Sequence, residues 1–527
     1  MLPRMPMRLR AFHRVAWPPL AWAARIGRDG GVVLFAGDAV ERTEDGLLAA
    51  AWSGPYASTS PFDATTSIGT ALRLLPGSIE ALCGNAGPDV LFLHRGGKGV
   101  VLANGLPIAL AAAGDAPLLH YPFYNHDLMA YLAGAAPEGL PLPMRRGTLT
   151  PFHRGIALAG PGWQATPLPP RAMPRWPDFA AYRAMLVAET RALFANAADP
   201  ARGRRYAPIA TISSGYDSVA AAVIARDAGC TEALTWREAS MAEPGTLDSG
   251  EESAARLGLA TAVLPTHAYR ARGDLPEAEF IAAGYGGPQV MMAGSEPHLA
   301  GRLIVTGFAG DHLWDRDYAP RPGPAICGGF SALSFHLRLP ALAVAVPMIG
   351  AADDPAPLGA LSRATEMAPW TLGGGYDRPI ARRIAEEAGL PRGSFARRKL
   401  MATPAYAVLG RGRLAVEGFL GEDSAARFRA WLAAHGGIER RAAWRNRLVA
   451  PLARLFWTGA VPRAMRRAGV PWPPAPRALW RLRHAVRDSA LMFQWAMELE
   501  LPRLAAALDT GVAVQVDDVG SNRGATS

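Results

Sequence analysis

Ser213-Ser214-Gly215-Tyr216-Asp217-Ser218 follows the β-prone run Ile209-Ala210-Thr211-Ile212 and opens a helical stretch, Val219 to Asp227. A small-residue turn that leaves a strand and starts a helix presents unpaired backbone N–H groups and the positive end of a dipole, an arrangement that cradles phosphate oxygens. Gly215 lets the backbone approach an anion with no Cβ between them, and Ser213 and Ser218 offer hydroxyl donors. Asp217 belongs beside phosphate only with a divalent cation between the two. The residues therefore predict a nucleotide site with magnesium and phosphate; an ordinary helix N-cap is the other reading of so short a run.

The run resembles the pyrophosphate loop of the asparagine synthetase family, S-G-G-x-D-S, whose members adenylate a carboxylate and release pyrophosphate. Ser214 stands where the family has the first glycine of its pair. A second stretch, Leu303-Ile304-Val305-Thr306-Gly307-Phe308-Ala309-Gly310-Asp311, is similar to the family's strand and turn, S-G-x-G-[GS]-D-E. A third, Leu390-Pro391-Arg392-Gly393-Ser394-Phe395-Ala396-Arg397-Arg398-Lys399 and then Pro404, resembles its L-P…R-x-K…P segment.

The resemblance implies ATP and Mg2+ as cofactors, with Asp217 and Asp311 as metal ligands. It implies nucleotide contacts at Ser213, Ser214, Gly215, Tyr216, Asp217, Ser218, Thr306, Gly307 and Gly310. Lys399 corresponds to the lysine that reaches the α-phosphate and the leaving pyrophosphate, so Lys399, Asp217 and Asp311 form the expected catalytic set. The family's adenine lies at the end of a strand matching Glu232-Ala233-Leu234-Thr235-Trp236, which makes Thr235 and Trp236 adenosine contacts or plain sheet core. Two departures concern the amine: Phe308 stands where asparagine-forming members carry Glu, and His312 replaces the next Glu.

Around these motifs strand and helix alternate: the Glu232–Trp236 strand, a helix from Asp248 to Leu257 ended by Gly258, and the strand Thr261-Ala262-Val263-Leu264. Such alternation predicts βαβ units and a parallel sheet. The amino-terminal third differs. Val32 to Phe35, Leu47 to Trp52, Val90 to Leu93 and Val100 to Ala103 are short β-prone runs between turn residues, the pattern of an antiparallel sheet protein. Asn104-Gly105-Leu106-Pro107-Ile108, and Thr148 to Gly162 as a closing hairpin, resemble the family's glutaminase domain.

The expected fold class is α/β with an α+β amino-terminal part: a degenerate Ntn-type glutaminase-like sandwich, then a doubly wound parallel-sheet ATP-pyrophosphatase (PP-loop) domain with a helical carboxyl-terminal extension. Residues 1–165 form the first domain and 178–410 the second, with a proline-rich linker at 166–177 that can be neither helix nor central strand. An arginine-rich helical region at 411–519 and a disordered tail at 520–527 follow.

At 527 residues, half of them apolar, the chain is long enough for two or three cored domains. Its net charge of +10 comes with no nucleic-acid motif, so an acidic substrate or ATP is the expected attraction. Met1 to Arg25 mimics a signal peptide, but Pro18, Pro19 and Arg25 interrupt it, and no apolar run of about 18 residues occurs. Three separated cysteines, Cys83, Cys230 and Cys327, suit a reducing cytoplasm, and His120 and His126 beside Tyr121 and Tyr124 read as structural. The expected partners are a small-molecule or peptide carboxylate and a precursor-peptide-processing protein, with no nucleic acid and no membrane.

The resemblance implies a carboxylate–amine ligase that adenylates its substrate, such as a peptide macrolactam cyclase; an asparagine synthase fed by free ammonia and a non-catalytic nucleotide-binding scaffold are the alternatives. The family's glutaminase nucleophile is a cysteine at position 2, where this chain has Leu2. No internal cysteine supplies the free α-amino group that serves as base. The chain is expected to release no glutamate from glutamine, with or without ATP; steady glutamate production would require another nucleophile.

Overall fold

The computed structural model describes residues 8–97, 99–132, 141–171, 175–239, 245–284, 288–317, 338–351, 354–373, 376–395, 419–435, 438–457, 460–470, 482 and 486–514. Lys399 lies outside them.

Two sheets dominate the amino-terminal third. The larger has eight strands, in spatial order Leu142–Pro143, Gly147–Phe152, Leu91–Gly96, Gly99–Ala103, Trp22–Ile26, Gly31–Ala36, Arg8–Arg14 and Val512–Val514. The smaller has six: Gln164–Pro167, Ile156–Ala159, Ser78–Cys83, Ser67–Leu75, Gly46–Trp52 and Glu41–Arg42. Neighbours are antiparallel except Arg8–Arg14 beside Gly31–Ala36.

Alternation along each strand builds the layers, because successive side chains leave opposite faces. Trp22, Ala24 and Ile26 share one core with Leu47, Ala49, Ile68 and Leu72 of the smaller sheet. Ala21, Ala23, Phe92 and Val101 join a second core with Leu106 and Leu110. The helix Leu106–Ala113 is apolar all round because it lies between the large sheet and the helix Met492–Asp509. At the centre of the sandwich the buried Asn104 accepts from the Trp22 N–H (2.9 Å) and donates to the Leu20 carbonyl (2.9 Å) and to Thr70 Oγ1 (3.1 Å). Trp22 Nε1 donates to the same Thr70 hydroxyl, so one polar network ties the two sheets together.

The third sheet is wholly parallel, in the order Ala260–Leu264, Glu232–Trp236, Ala207–Thr211, Arg302–Thr306, Leu342–Ala345. Both faces are covered: Ala210, Leu303, Val305 and Val344 enter the first core, whereas Ile209, Leu234, Ile304 and Ala343 enter the second. The chain winds one way from the Ala207–Thr211 strand and the other way from Arg302–Thr306. A crevice therefore opens between those two strands at their carboxyl ends.

The structure departs from the sequence expectations at several places. Thr166 and Pro167 are not linker but the end of the edge strand Gln164–Pro167, where proline is tolerated because an outer edge needs no donor. The 148–162 stretch is not one hairpin: Gly147–Phe152 pairs in the large sheet, and only Ile156–Ala159 and Gln164–Pro167 close a hairpin, in the small one. The carboxyl-terminal region is not all helix, since Val512–Val514 adds a strand beside Arg8–Arg14. The sheets are in contact: the Ala345 N–H donates to the Ala86 carbonyl (2.7 Å), and Met492–Asp509 packs on both Leu106–Ala113 and Pro276–Ala282. Among the described residues no helix is long and apolar enough to cross a membrane.

Replacing Asn104 with Leu strands buried backbone groups of Trp22 and Leu20, at about 1–3 kcal/mol for each group left unpaired. Urea denaturation of Asn104→Leu should show a lowered midpoint with an unchanged slope; a wild-type midpoint would mean that the sheets hold together without this network.

Candidate functional site

The 213–218 turn leaves the Ala207–Thr211 strand and enters the helix Tyr216–Asp227, with Gly215 as an extended N-cap. Gly215 brings no side chain to cap that helix, so the first-turn amides remain available to an anion. The serines shape the turn: Ser213 Oγ and Ser218 Oγ are 2.8 Å apart, Ser218 Oγ accepts from the Ser213 N–H (3.1 Å), and Ser213 Oγ accepts from the Gly215 N–H (3.2 Å).

Ser214 faces the other way. Its hydroxyl donates to Asp248 Oδ1 (2.6 Å) and its N–H to the Asp248 carbonyl (3.1 Å). Burial pushes the Asp248 carboxyl above its ordinary range, against the opposing pull of the Ser214 hydrogen bonds. The segment is fixed further by a bridge between Ser213 and Ser249 and by the Gly250 N–H, which donates to Thr235 Oγ1 (2.9 Å). The helix expected from Asp248 consequently starts at Glu251, because residues 248–250 are engaged in supporting the turn. The serine that departs from the S-G-G-x-D-S pattern thus has a partner of its own.

The Arg302–Thr306 strand carries the second turn. Thr306 Oγ1 donates to the Val344 carbonyl (3.2 Å) and accepts from the Phe308 N–H (3.4 Å). Ala309 turns the chain in the left-handed region, at φ 64°, into the short helix Gly310–Leu313. The two turns interlock at Asp217. A Cβ on Gly307 would lie 2.2 Å from the Asp217 carbonyl carbon, and one on Gly310 would lie 2.5 Å from its carboxyl carbon, so neither position tolerates a side chain without displacing Asp217. Phe308 packs half-buried against the first core.

The Asp217 carboxylate is paired with Arg378, which immediately precedes the helix Pro379–Glu387. The Arg378 side chain is 4% exposed, lies 3.9 Å from Asp315 Oδ2 and stands over the Tyr376 ring. Burial weighs against its charge, but the fields of Asp217, Tyr376 and Asp311 outweigh it and raise its pKa. Next along the chain Arg382 bonds the Tyr216 hydroxyl. Asp311 is more open, at 41% against 17% for Asp217, with His312 Nε2 3.7 Å from its Oδ1.

Asp217, Asp311, Thr306, Gly307, Gly310 and the 213–218 turn are therefore brought to one crevice. The Thr235 and Trp236 side chains, on the strand next to Ala207–Thr211, are buried and partnered: the Thr235 hydroxyl accepts from Gly250, and Trp236 Nε1 donates to Ser295 Oγ (3.1 Å). Sequence reasoning missed Arg378 and Asp248. The signal for Arg378 was Asp217 itself, a carboxylate in a phosphate loop that demands a cation, but nothing in the spacing locates an arginine 161 residues downstream.

Asp217 and Asp311 both bear on the Arg378 guanidinium, which marks a position suited to positive charge. Among the described residues no group of three or more His, Cys, Asp or Glu could hold a metal ion. Two carboxylates fit Mg2+ only if phosphate oxygens and water complete its octahedral shell, the usual manner of magnesium binding at nucleotides. No protein-family model matches the chain, and no curated protein matches it.

Asp248→Ala should cost about 1–3 kcal/mol by leaving the Ser214 hydroxyl without its acceptor, whereas Asp248→Asn keeps an acceptor at Oδ1. Because the native Asp248 pKa lies above its ordinary 3.8, wild-type stability should fall as pH rises from that value through the raised one. Asp248→Asn should remove this slope. Denaturation across pH checks both effects, and an unchanged slope in the Asn variant would deny the buried carboxyl its part.

Proposed function

We propose that the chain is an ATP- and Mg2+-dependent ligase of the asparagine synthetase type, which activates a substrate carboxylate as an acyl-adenylate and joins it to an amine. On this reading the parallel sheet is a PP-loop ATP-pyrophosphatase domain and the antiparallel sheets are an Ntn-type sandwich without glutaminase chemistry. The observation that carries the proposal is the interlock of the 213–218 and 307–311 turns at Asp217, in the crevice where the parallel sheet reverses its winding.

The chemistry follows from charge. A carboxylate at neutral pH has no leaving group; attack of its oxygen on the α-phosphorus of ATP expels pyrophosphate and supplies one. The first-turn amides of Tyr216–Asp227 would hold the pyrophosphate oxygens. Asp217 and Asp311 would hold Mg2+, which would supply countercharge to pyrophosphate. Lys399, by its resemblance to the family lysine, would aim a further cation at the α-phosphate. The amine nitrogen then attacks the acyl carbon, AMP leaves and the amine loses a proton. Phe308 gives the turn an apolar side chain, which favours a bulky acyl group or a peptide over ammonia-dependent asparagine formation.

A second reading, a non-catalytic nucleotide-binding scaffold, is favoured by one contact: Arg378 already neutralises the carboxylate that a metal would need. ATP–pyrophosphate exchange distinguishes the two. With aspartate plus ammonium, aspartate plus amines, and acidic peptides as candidate substrates, an enzyme exchanges label in the presence of one of them. Asp217→Asn and Asp311→Asn should each reduce that exchange by roughly 10²-fold or more, the scale for losing one electrostatic contact to a transition state. Full exchange in Asp217→Asn would sink the site assignment, and no exchange with any substrate would favour the scaffold.

A further inference from the structure

Residues 438–470 hold eight arginines against one carboxylate, Glu439, a net +7 in a chain whose total is +10. They form the helical segments Ile438–Arg441, Arg445–Val449, Ala450–Trp457 and Ala460–Arg467.

One face of this run is anchored. The Arg445 guanidinium lies over the Phe123 ring, 5.1 Å from its centroid. Asn446 exchanges two hydrogen bonds with Val486, donating to its carbonyl (2.6 Å) and accepting from its N–H (2.8 Å), and Ala450 and Ala453 are buried. Another face is bare: Trp444 is 64% exposed, Leu448 63%, Leu452 55%, Phe456 45% and Leu455 42%. Steps of four, four and three residues from Trp444 to Leu455 keep that stripe on one side of a helix. Arg440, Arg447 and Arg467 are exposed as well. Ala450–Trp457 thus covers one face, at Ala450 and Ala453, and exposes the other, at Leu452, Leu455 and Phe456.

We propose that residues 438–470 bind the surface of a bilayer that carries anionic phospholipid, with the Trp444–Phe456 stripe at the headgroup–acyl boundary and Arg440, Arg447 and Arg467 among the headgroups. The combination of a Trp/Leu/Phe stripe, an arginine-rich remainder and low overall hydrophobicity is that of a helix lying in the interface plane. An exposed apolar stripe suits a broad lipid surface, and the positive charge selects an anionic one. The sequence expectation of no membrane partner rested on the lack of a spanning segment, which a surface-lying helix does not need. The inference is independent of the nucleotide site.

Flotation of the full chain with vesicles tests it. Equimolar phosphatidylcholine and phosphatidylglycerol should bind the protein at least about ten-fold more tightly than phosphatidylcholine alone, and added salt should erode the difference. Replacing Arg440, Arg447 and Arg467 together by Gln should weaken binding by about a hundred-fold at low salt. Trp444→Ser with Leu448→Ser and Leu452→Ser should abolish it while leaving thermal unfolding unchanged, because all three side chains are exposed. The proposal is overturned if wild type binds neither vesicle or both equally, or if the stripe variant floats like wild type. It is overturned equally if light scattering finds a wild-type dimer that the stripe variant cannot form, since a second copy would then cover the stripe.

Discussion

Asp217 is the point on which the two halves of the crevice depend. Its backbone fills the space that a side chain on Gly307 would need, and its carboxyl fills the space beside Gly310. Close approach of this kind fixes the separation of the two turns, because packed backbone has little room to yield. The Arg378 guanidinium closes the arrangement from a third segment, so strands, turns and the Pro379–Glu387 helix converge on one carboxylate.

Removing charge from water is costly unless it is paired, and that cost explains the arrangement around the crevice. Arg378 is nearly buried and would be unfavourable without Asp217, with Asp311 adding its field; Asp217 in turn packs closely against Gly307 and Gly310. The same logic operates one layer below, where the buried Asp248 takes hydrogen bonds from Ser214 and thereby orients the turn from beneath. Such a support fixes the turn before any ligand arrives, and preorganisation lowers the cost of binding.

Much of the fold is legible in the sequence because local rules act there without competition. The Val32–Phe35, Leu47–Trp52 and Val100–Ala103 runs all lie in strands, and the strand–helix alternation from 207 to 264 does build a parallel sheet. What was not legible depends on contacts far apart in the chain. Asp248 reads as the start of a helix because an acidic residue there suits the dipole, yet tertiary contact with Ser214 holds it in extended chain. Val512–Val514 has no local signal that it will pair with Arg8–Arg14, and Arg378 is one arginine among many until the fold brings it to Asp217. Thr235 and Trp236 illustrate the reverse case, residues singled out by resemblance whose side chains are engaged within the protein.

Amide hydrogen exchange of the wild-type chain, with and without a non-hydrolysable ATP analogue and magnesium, tests most directly that the two turns form one nucleotide site. Peptides covering 213–218 and 307–311 should gain protection together, over the same range of nucleotide concentration, because one ligand would span both. Protection confined to one turn, or located elsewhere in the chain, would contradict the account.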